Sequence, residues 1–213
     1  MENKLLSDIQ LENIKYCALL LGSLLIKKPD DSDLEAVLAE LRQLDSIHEW
    51  PFGKKEETEQ ALCLIKERLD TSNSIADMTA DYQQLFIGPF SLKAPPWSSA
   101  YLDYEGVLFG SSTLELRAWM RKNGITTEVP NNEPEDHIGY MFLLLSWLTD
   151  ERPNLIEEFI SQHLAPWSPR FCEKLKAGAK TPFYQGLALL TKTTIESIVE
   201  AFSIKVATRP LYR

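Results

Sequence analysis

Histidine and cysteine are both scarce in this chain, three of each in 213 residues. His48, His137 and His163 lie in separate segments, and neither Cys-x-x-Cys nor His-Glu-x-x-His spacing occurs, so no zinc ligand set is grouped in sequence. Cys17, Cys63 and Cys172 are odd in number and far apart, and each falls on an apolar helical stripe. They read as reduced core thiols in a reducing compartment, with no disulfide framework. Glycine is thin and scattered. Its nine residues form neither a phosphate-cradling loop nor a glycine-rich nucleophile elbow. Positive charge is also short, with 22 Lys and Arg against 31 Asp and Glu, a net charge of −9 and a pI near 4.9. Nucleic-acid binding needs a basic patch to displace phosphate counterions, so that class is excluded and a cationic partner fits better. The apolar run Met141 to Leu145 is far short of the ~20 residues that span a bilayer. Met1 to Asp8 shows no basic region followed by an apolar run. The expectation is a soluble cytoplasmic protein, not an integral membrane one. Period-two alternation and internal repeats are missing too, which removes the strand-rich and solenoid folds.

What is present is helical periodicity, carried by 44% hydrophobic and 25% charged residues. Ser7 with Gln10 is a capping-box pattern ahead of Ile14, Cys17, Leu21, Leu24 and Leu25, predicting a helix to about Lys27. Ser32 with Glu35 repeats that start signal, and a third helix covers Lys55 to Leu69. Ser74 opens a fourth, which Gly88-Pro89 stops. Ser112 with Glu115 begins another that ends at Asn123-Gly124. Asn131-Asn132-Glu133-Pro134 is expected to initiate the most hydrophobic helix, with Pro134 in its first turn and Ile138, Met141, Phe142, Leu145 and Leu148 as its core stripe. Pro153, Pro169 and Pro182 mark three further starts, and Ile204 to Arg213 carries no assignment. Trp50, Trp119, Trp147 and Trp167 read as core or helix-junction residues. The predicted fold is all-α, one globular bundle of eight or more helices spanning residues 1–213.

Two clusters stand apart from this scaffold. From Tyr82 to Tyr101 aromatics and prolines are concentrated together. Ile75, Met78, Tyr82, Leu85 and Phe86 share one helical face, and Pro89, Pro95 and Pro96 then withhold three amide donors. A floppy loop would not carry Phe90, Leu92, Trp97 and Tyr101, so the segment is expected to pack on the scaffold as one wall of an apolar groove. The second cluster is Glu133-Pro134-Glu135-Asp136-His137. Carboxylates suit a helix N-terminus, but an imidazole has no evident reason to be there. Asp136, His137 and Tyr140 fall beside the main stripe of their helix, where they could rim that groove. An Asp-His pair could also orient a base. That leaves a small-ligand protein or hydrolase using Asp136 and His137 as the alternative, without a nucleophile signature to complete it.

Together, Tyr82 to Pro89, Ala94 to Tyr101 and Glu133 to Ile138 resemble the TorD/DmsD family of redox-enzyme maturation chaperones. The stretch Leu108 to Leu114, with Ala118 to Arg121 and Arg209 to Arg213, is more similar to its DmsD branch. The resemblance implies an all-helical, non-enzymatic chaperone without a cofactor. Its partner would be the twin-arginine signal peptide of a molybdopterin oxidoreductase catalytic subunit, with the twin-arginine translocation machinery as a further contact. It also implies a peptide site at the positions matching Leu85, Phe86, Pro96, Trp97, Asp136 and His137, to which Tyr82, Phe90, Tyr101, Glu133 and Pro134 are added as neighbours. Tyr82 and Phe90 depart from the tryptophans of the DmsD branch and keep aromatic character. On this reading Asp136 receives the peptide's guanidinium groups. Binding then weakens as pH falls through the ordinary histidine value near ~6.5, as His137 gains charge.

Overall fold

The computed structural model describes residues 6–44, 49–89, 91–127 and 133–213. Most helix starts lie where local chemistry puts them. Helix α1, Asp8–Ile26, opens on the expected capping box, with Gln10 N donating to Ser7 Oγ at 3.3 Å and Ser7 N to Gln10 Oε1 at 2.9 Å. Helix α2, Glu35–Gln43, follows a 3-10 turn at Ser32–Leu34, and its cap differs from expectation. Asp31 accepts from Asp33 N at 2.9 Å, one residue ahead of Ser32, and so takes the capping bond. Helix α3 is Lys55–Leu69, and α4 is Ser74–Tyr82, continuing as a π turn through Gln83–Ile87 to Gly88 at φ +102°. Then come α5, Ser99–Leu102; α6, Ser111–Lys122; α7, Ile138–Glu151; and α8, Ile156–Phe159, with a second π turn at Ile160–Leu164. Helices α9, Ser168–Gly178, and α10, Pro182–Ala201, both place proline in the first turn. Among the described residues there is no strand, only one isolated bridge between Trp97 and His137. The all-α expectation holds.

Two helix pairs dominate the packing: α1 against α7, and α3 against α10, with α9 on the flank of α10. Both crossings are close because glycine sits in them. A Cβ on Gly139 would meet Gly22 O at 3.0 Å and Ile26 Cγ1 at 2.4 Å, and one on Gly186 would meet Ala61 O at 2.6 Å. Without side chains there, backbones approach to where dispersion contacts are densest. Helix α1 is long and apolar enough by composition to cross a bilayer, but eight of its residues are buried inside the protein. A third tie joins distant segments. Asp81 of α4 is 2% exposed and accepts from Thr181 N and Thr181 Oγ1, both at 2.8 Å, capping α10 across the molecule.

Four further expectations are corrected. Helix α7 begins at Ile138, not near Pro134, because residues 134–137 form a turn closed by His137 N donating to Pro134 O, and His137 is extended and bridged to Trp97 of the proline-rich loop. The Ser112–Glu115 box does not form; Gly110 is the cap residue, and Asp103 supplies the acceptor for Ser112 N at 3.3 Å. Trp147 is 40% exposed, since α7 turns Trp147 and Asp150 away from its buried face. Cys63 is exposed, while Cys17 and Cys172 are buried; all three are free thiols.

Gly139→Ala tests the α1–α7 crossing. Overpacking costs about 1–3 kcal/mol, against a helix-propensity gain of up to ~1 kcal/mol from the same change. The expected outcome in urea unfolding is a net loss of about 1–2 kcal/mol with unchanged helical circular dichroism.

Candidate functional site

The proline-rich loop and the residues before α7 are spliced side by side. Pro95 and Pro96 are buried and have no amide to donate, but a proline carbonyl still accepts. Ile138 N donates to Pro96 O at 2.7 Å, and Ser98 N donates to Asp136 O at 3.1 Å, setting Trp97 opposite His137. The Asp136 side chain closes the splice. Its Oδ2 accepts from Ser98 Oγ and from Ser99 N, both at 2.8 Å, so it caps the start of α5. Ser98 Oγ also lies 3.1 Å from Ser112 Oγ, whose partner is Asp103. Asp103 in turn explains Gly110, where a Cβ would lie 1.9 Å from Asp103 Oδ2.

Asp136 is therefore 0% exposed, and burial raises its carboxyl above the ordinary range against the opposing bonds from Ser99 and Ser98. The expectation that this carboxylate faces an incoming guanidinium is not met in this conformation. It points inward at α5. His137 is also buried, at 6% exposure, and is the N-cap of α7: its Nδ1 accepts from Gly139 N at 3.1 Å. An imidazole at a helix start gains this bond only when Nδ1 is unprotonated, which is the reason sequence reasoning missed for its presence. Burial pushes His137 down to about 3, far from the value assumed for a binding switch near neutral pH. Its ring lies 6.1 Å from Trp97, edge-on, and 5.4 Å from Tyr140.

The expected anchors divide into two groups. Tyr82, Leu85, Phe86 and Tyr101 are core residues, none more than 6% exposed. Tyr82 and Phe86 pack edge-on at 5.0 Å and both meet Tyr184 of α10, and the Tyr82 hydroxyl donates to Ile26 O. Tyr101 packs against Trp167 and Phe171. The apolar groove they were expected to line is closed here. The wide concavity of about 820 Å³ lies instead on the outer face of α4, lined by Asp30, Asn73, Ile75, Thr79, Ala80 and Gln83. The second group sits at the surface. Trp97 is half-buried, and its indole N–H donates to Glu133 Oε1 at 2.7 Å. Burial raises the Tyr82 and Tyr140 hydroxyls, and the negative charge of Glu133 raises them further. Glu133 pairs with no lysine or arginine among the described residues, whereas Glu135 is taken by Arg117 at 2.6 Å. Pro134 is buried, its carbonyl accepting from His137 N at 3.2 Å. Phe90 lies outside the described residues. Tyr140, read in sequence as a groove-rim residue, joins the surface group. Among the described residues no cluster of His, Cys, Asp and Glu could hold a metal ion.

With this geometry in place, the likeness to known proteins is informative. The chain belongs to the family described as nitrate reductase delta subunit, which matches residues 53–173. Within it the chain falls in the TorD/DmsD group. It is 38% identical over 206 residues to the Tat proofreading chaperone DmsD of Salmonella typhi, covering 96% of this chain and 98% of that one. It is 31% identical over 182 residues to the chaperone protein YcdY of Escherichia coli, covering 84% and 89%. A crystal structure described as a redox enzyme maturation protein from Archaeoglobus fulgidus shares the fold, with a TM-score of 0.55 at 21% identity, covering 92% of this chain and 99% of the other.

The buried imidazole makes folding sensitive to acid. The folded-state value of His137, about 3, lies below its unfolded value near ~6.5, so folding favours the neutral form. Its contribution is complete above the unfolded value and is lost progressively as pH falls below it, by about 2 kcal/mol between pH 7 and 5. His163, held at about 4 by burial, acts with the same sign, while Asp136, whose value is raised, acts with the opposite one. Urea unfolding across this range should show stability falling with pH. His137→Asn, which caps but cannot ionise, should remove part of that fall and leave the share of His163.

Proposed function

We propose that this protein is a cytoplasmic chaperone that binds the twin-arginine signal peptide of a molybdopterin oxidoreductase catalytic subunit. It acts on the precursor before export, without catalysis. The full-length likeness to a Tat proofreading chaperone, 38% over 96% of the chain, carries this reading. The charge supports it, since a net −9 favours a cationic ligand. So does the surface group, because the Glu133 carboxylate, which has no lysine or arginine partner among the described residues and accepts from the Trp97 indole, offers a guanidinium a charged acceptor beside an aromatic ring.

Affinity must come largely from apolar contact. A dissociation constant of ~1 μM requires about −8 kcal/mol, and exposed ion pairs supply only ~0–1 kcal/mol each. Each fully buried apolar side chain contributes about 1.5–3 kcal/mol before ordering costs. Trp97 and Glu133 are reachable as they stand, whereas Phe86 is packed against Tyr184 of α10 and Tyr101 against Trp167 and Phe171. Encounter at Glu133 and Trp97 followed by insertion of the apolar run is the sequence of events this arrangement favours. Against the hydrolase alternative, Asp136 and His137 do not form a couple: the carboxylate accepts from Ser98 and Ser99, and the imidazole Nδ1 accepts from Gly139.

Isothermal titration with signal peptides carrying Arg-Arg, Lys-Lys or Ala-Ala tests the reading; equal affinity for all three would overturn it. Trp97→Ala should weaken Arg-Arg binding about tenfold, as loss of an interface aromatic does, with little change in Tm. Glu133→Gln keeps an acceptor for the Trp97 indole but loses the charge. It should reduce the Arg-Arg preference and the salt dependence of binding. Asp136→Asn should lower Tm, because it replaces a buried acceptor at the start of α5.

A further inference from the structure

The loop that carries Trp97 is tied at one end by the splice to Asp136 and Ile138, but its other end has few bonds of its own. Arg213 supplies one from 121 residues away: its Nη2 donates to Leu92 O at 2.7 Å. We propose that Arg213 is a positioning residue for the peptide site, and that residues 205–213 form a strap that holds the loop in its binding geometry. The inference rests on the chaperone reading above.

The strap is extended and bound along its length. Lys205 O accepts from Ser161 Oγ at 2.7 Å, and Ala207 N donates to Ser161 O at 3.0 Å. Arg209 pairs with Glu115 of α6 at 2.8 Å, and Tyr212 N donates to Tyr101 O at 2.8 Å. Arg213 O accepts from Arg170 Nε of α9 at 2.9 Å. Arg213 is thus fixed by α5 and α9 before it reaches Leu92. Apart from Val206, which packs on the core, the strap does not anchor itself by burying apolar side chains, since Leu211 and Tyr212 are 45% and 51% exposed. It is held by main-chain and guanidinium bonds, and the loop is what it restrains. Such a tie acts on binding by removing loop conformations that would otherwise compete with the bound one.

Charge separates this from a simple electrostatic effect. Arg213→Ala and Arg209→Ala each remove one positive charge from a protein whose proposed ligand is cationic, so electrostatics alone predicts that both bind the peptide slightly more tightly. The strap predicts a divergence. Titration with the Arg-Arg peptide should show Arg213→Ala binding about five- to tenfold more weakly, the range expected for loss of one fixing hydrogen bond. Arg209→Ala, which leaves the Leu92 tie in place, should bind at least as tightly as the wild type. Arg213→Lys, whose ammonium reproduces a single N–H to carbonyl bond, should restore binding. Trypsin cleavage after the exposed Lys93, followed by mass spectrometry, reads the loop directly. It should accelerate in Arg213→Ala and stay at the wild-type rate in the other two. Undiminished or tighter binding by Arg213→Ala would overturn the inference. So would failure of the lysine to rescue, or weaker binding with unchanged cleavage, which would mark Arg213 as a direct contact. A wild type that does not prefer Arg-Arg over Ala-Ala would instead overturn the chaperone reading, whatever the variants do.

Discussion

The Asp136 carboxylate, accepting from Ser98 Oγ and Ser99 N in a site closed to water, fixes the segment before α7 against the loop before α5. A carboxylate removed from water is costly unless it is hydrogen-bonded, and the free start of a short helix is a ready source of donors. Oδ2 meets both in one contact, while the buried Oδ1 has no hydrogen-bond partner among the described residues. Around it follow the bridge between Trp97 and His137, the delayed start of α7, and the use of His137 as that helix's cap. The surface aromatics and Glu133 keep their mutual geometry because the backbone beneath them is spliced at this point.

Asp81, Asp103 and Asp136 share one device: each is buried, and each caps a helix other than its own. Asp81 receives the amide of Thr181 at the start of α10, Asp103 that of Ser112 in α6, and Asp136 that of Ser99 in α5. Part of the acidic excess is therefore internal scaffolding and is not presented to partners. The distinction matters for recognition, because a charge count treats Asp136 and Glu133 alike whereas only the second faces outward.

The remote caps mark the limit of what the sequence could tell. Local signals were readable: Ser7 with Gln10, the proline at the start of α10, and Gly88 and Gly124 at positive φ, where only glycine is unstrained. The failures came where a distant partner supplied the bond. Pro134 has the pattern of a first-turn proline because nothing local announces that Ser98 will bond the Asp136 carbonyl and hold the next residues in a turn. Ser112 with Glu115 has a capping pattern that Asp103 makes unnecessary. The stripe from Met78 to Phe86 was read correctly as one face, but periodicity cannot say whether that face meets a ligand or a helix such as α10. Trp147 illustrates the converse, since α7 has apolar residues nearly all round and composition does not choose which of them stay outside. The surface part of the site was partly legible because proline, tryptophan and glutamate gathered in two short segments.

The spacing of these ties along the chain sets when the site comes into being. Leu92 meets Arg213 across 121 positions, Asp81 meets Thr181 across 100, and Trp50 meets Thr194 across 144. At about 5–20 residues per second of synthesis, on the order of ten seconds separates the appearance of the proline-rich loop from that of its last restraint. During that interval the aromatic stripe has been made but the helices that cover it have not. A ribosome-bound copy of this protein therefore holds the proposed site unfinished until α10 and the residues beyond it have emerged.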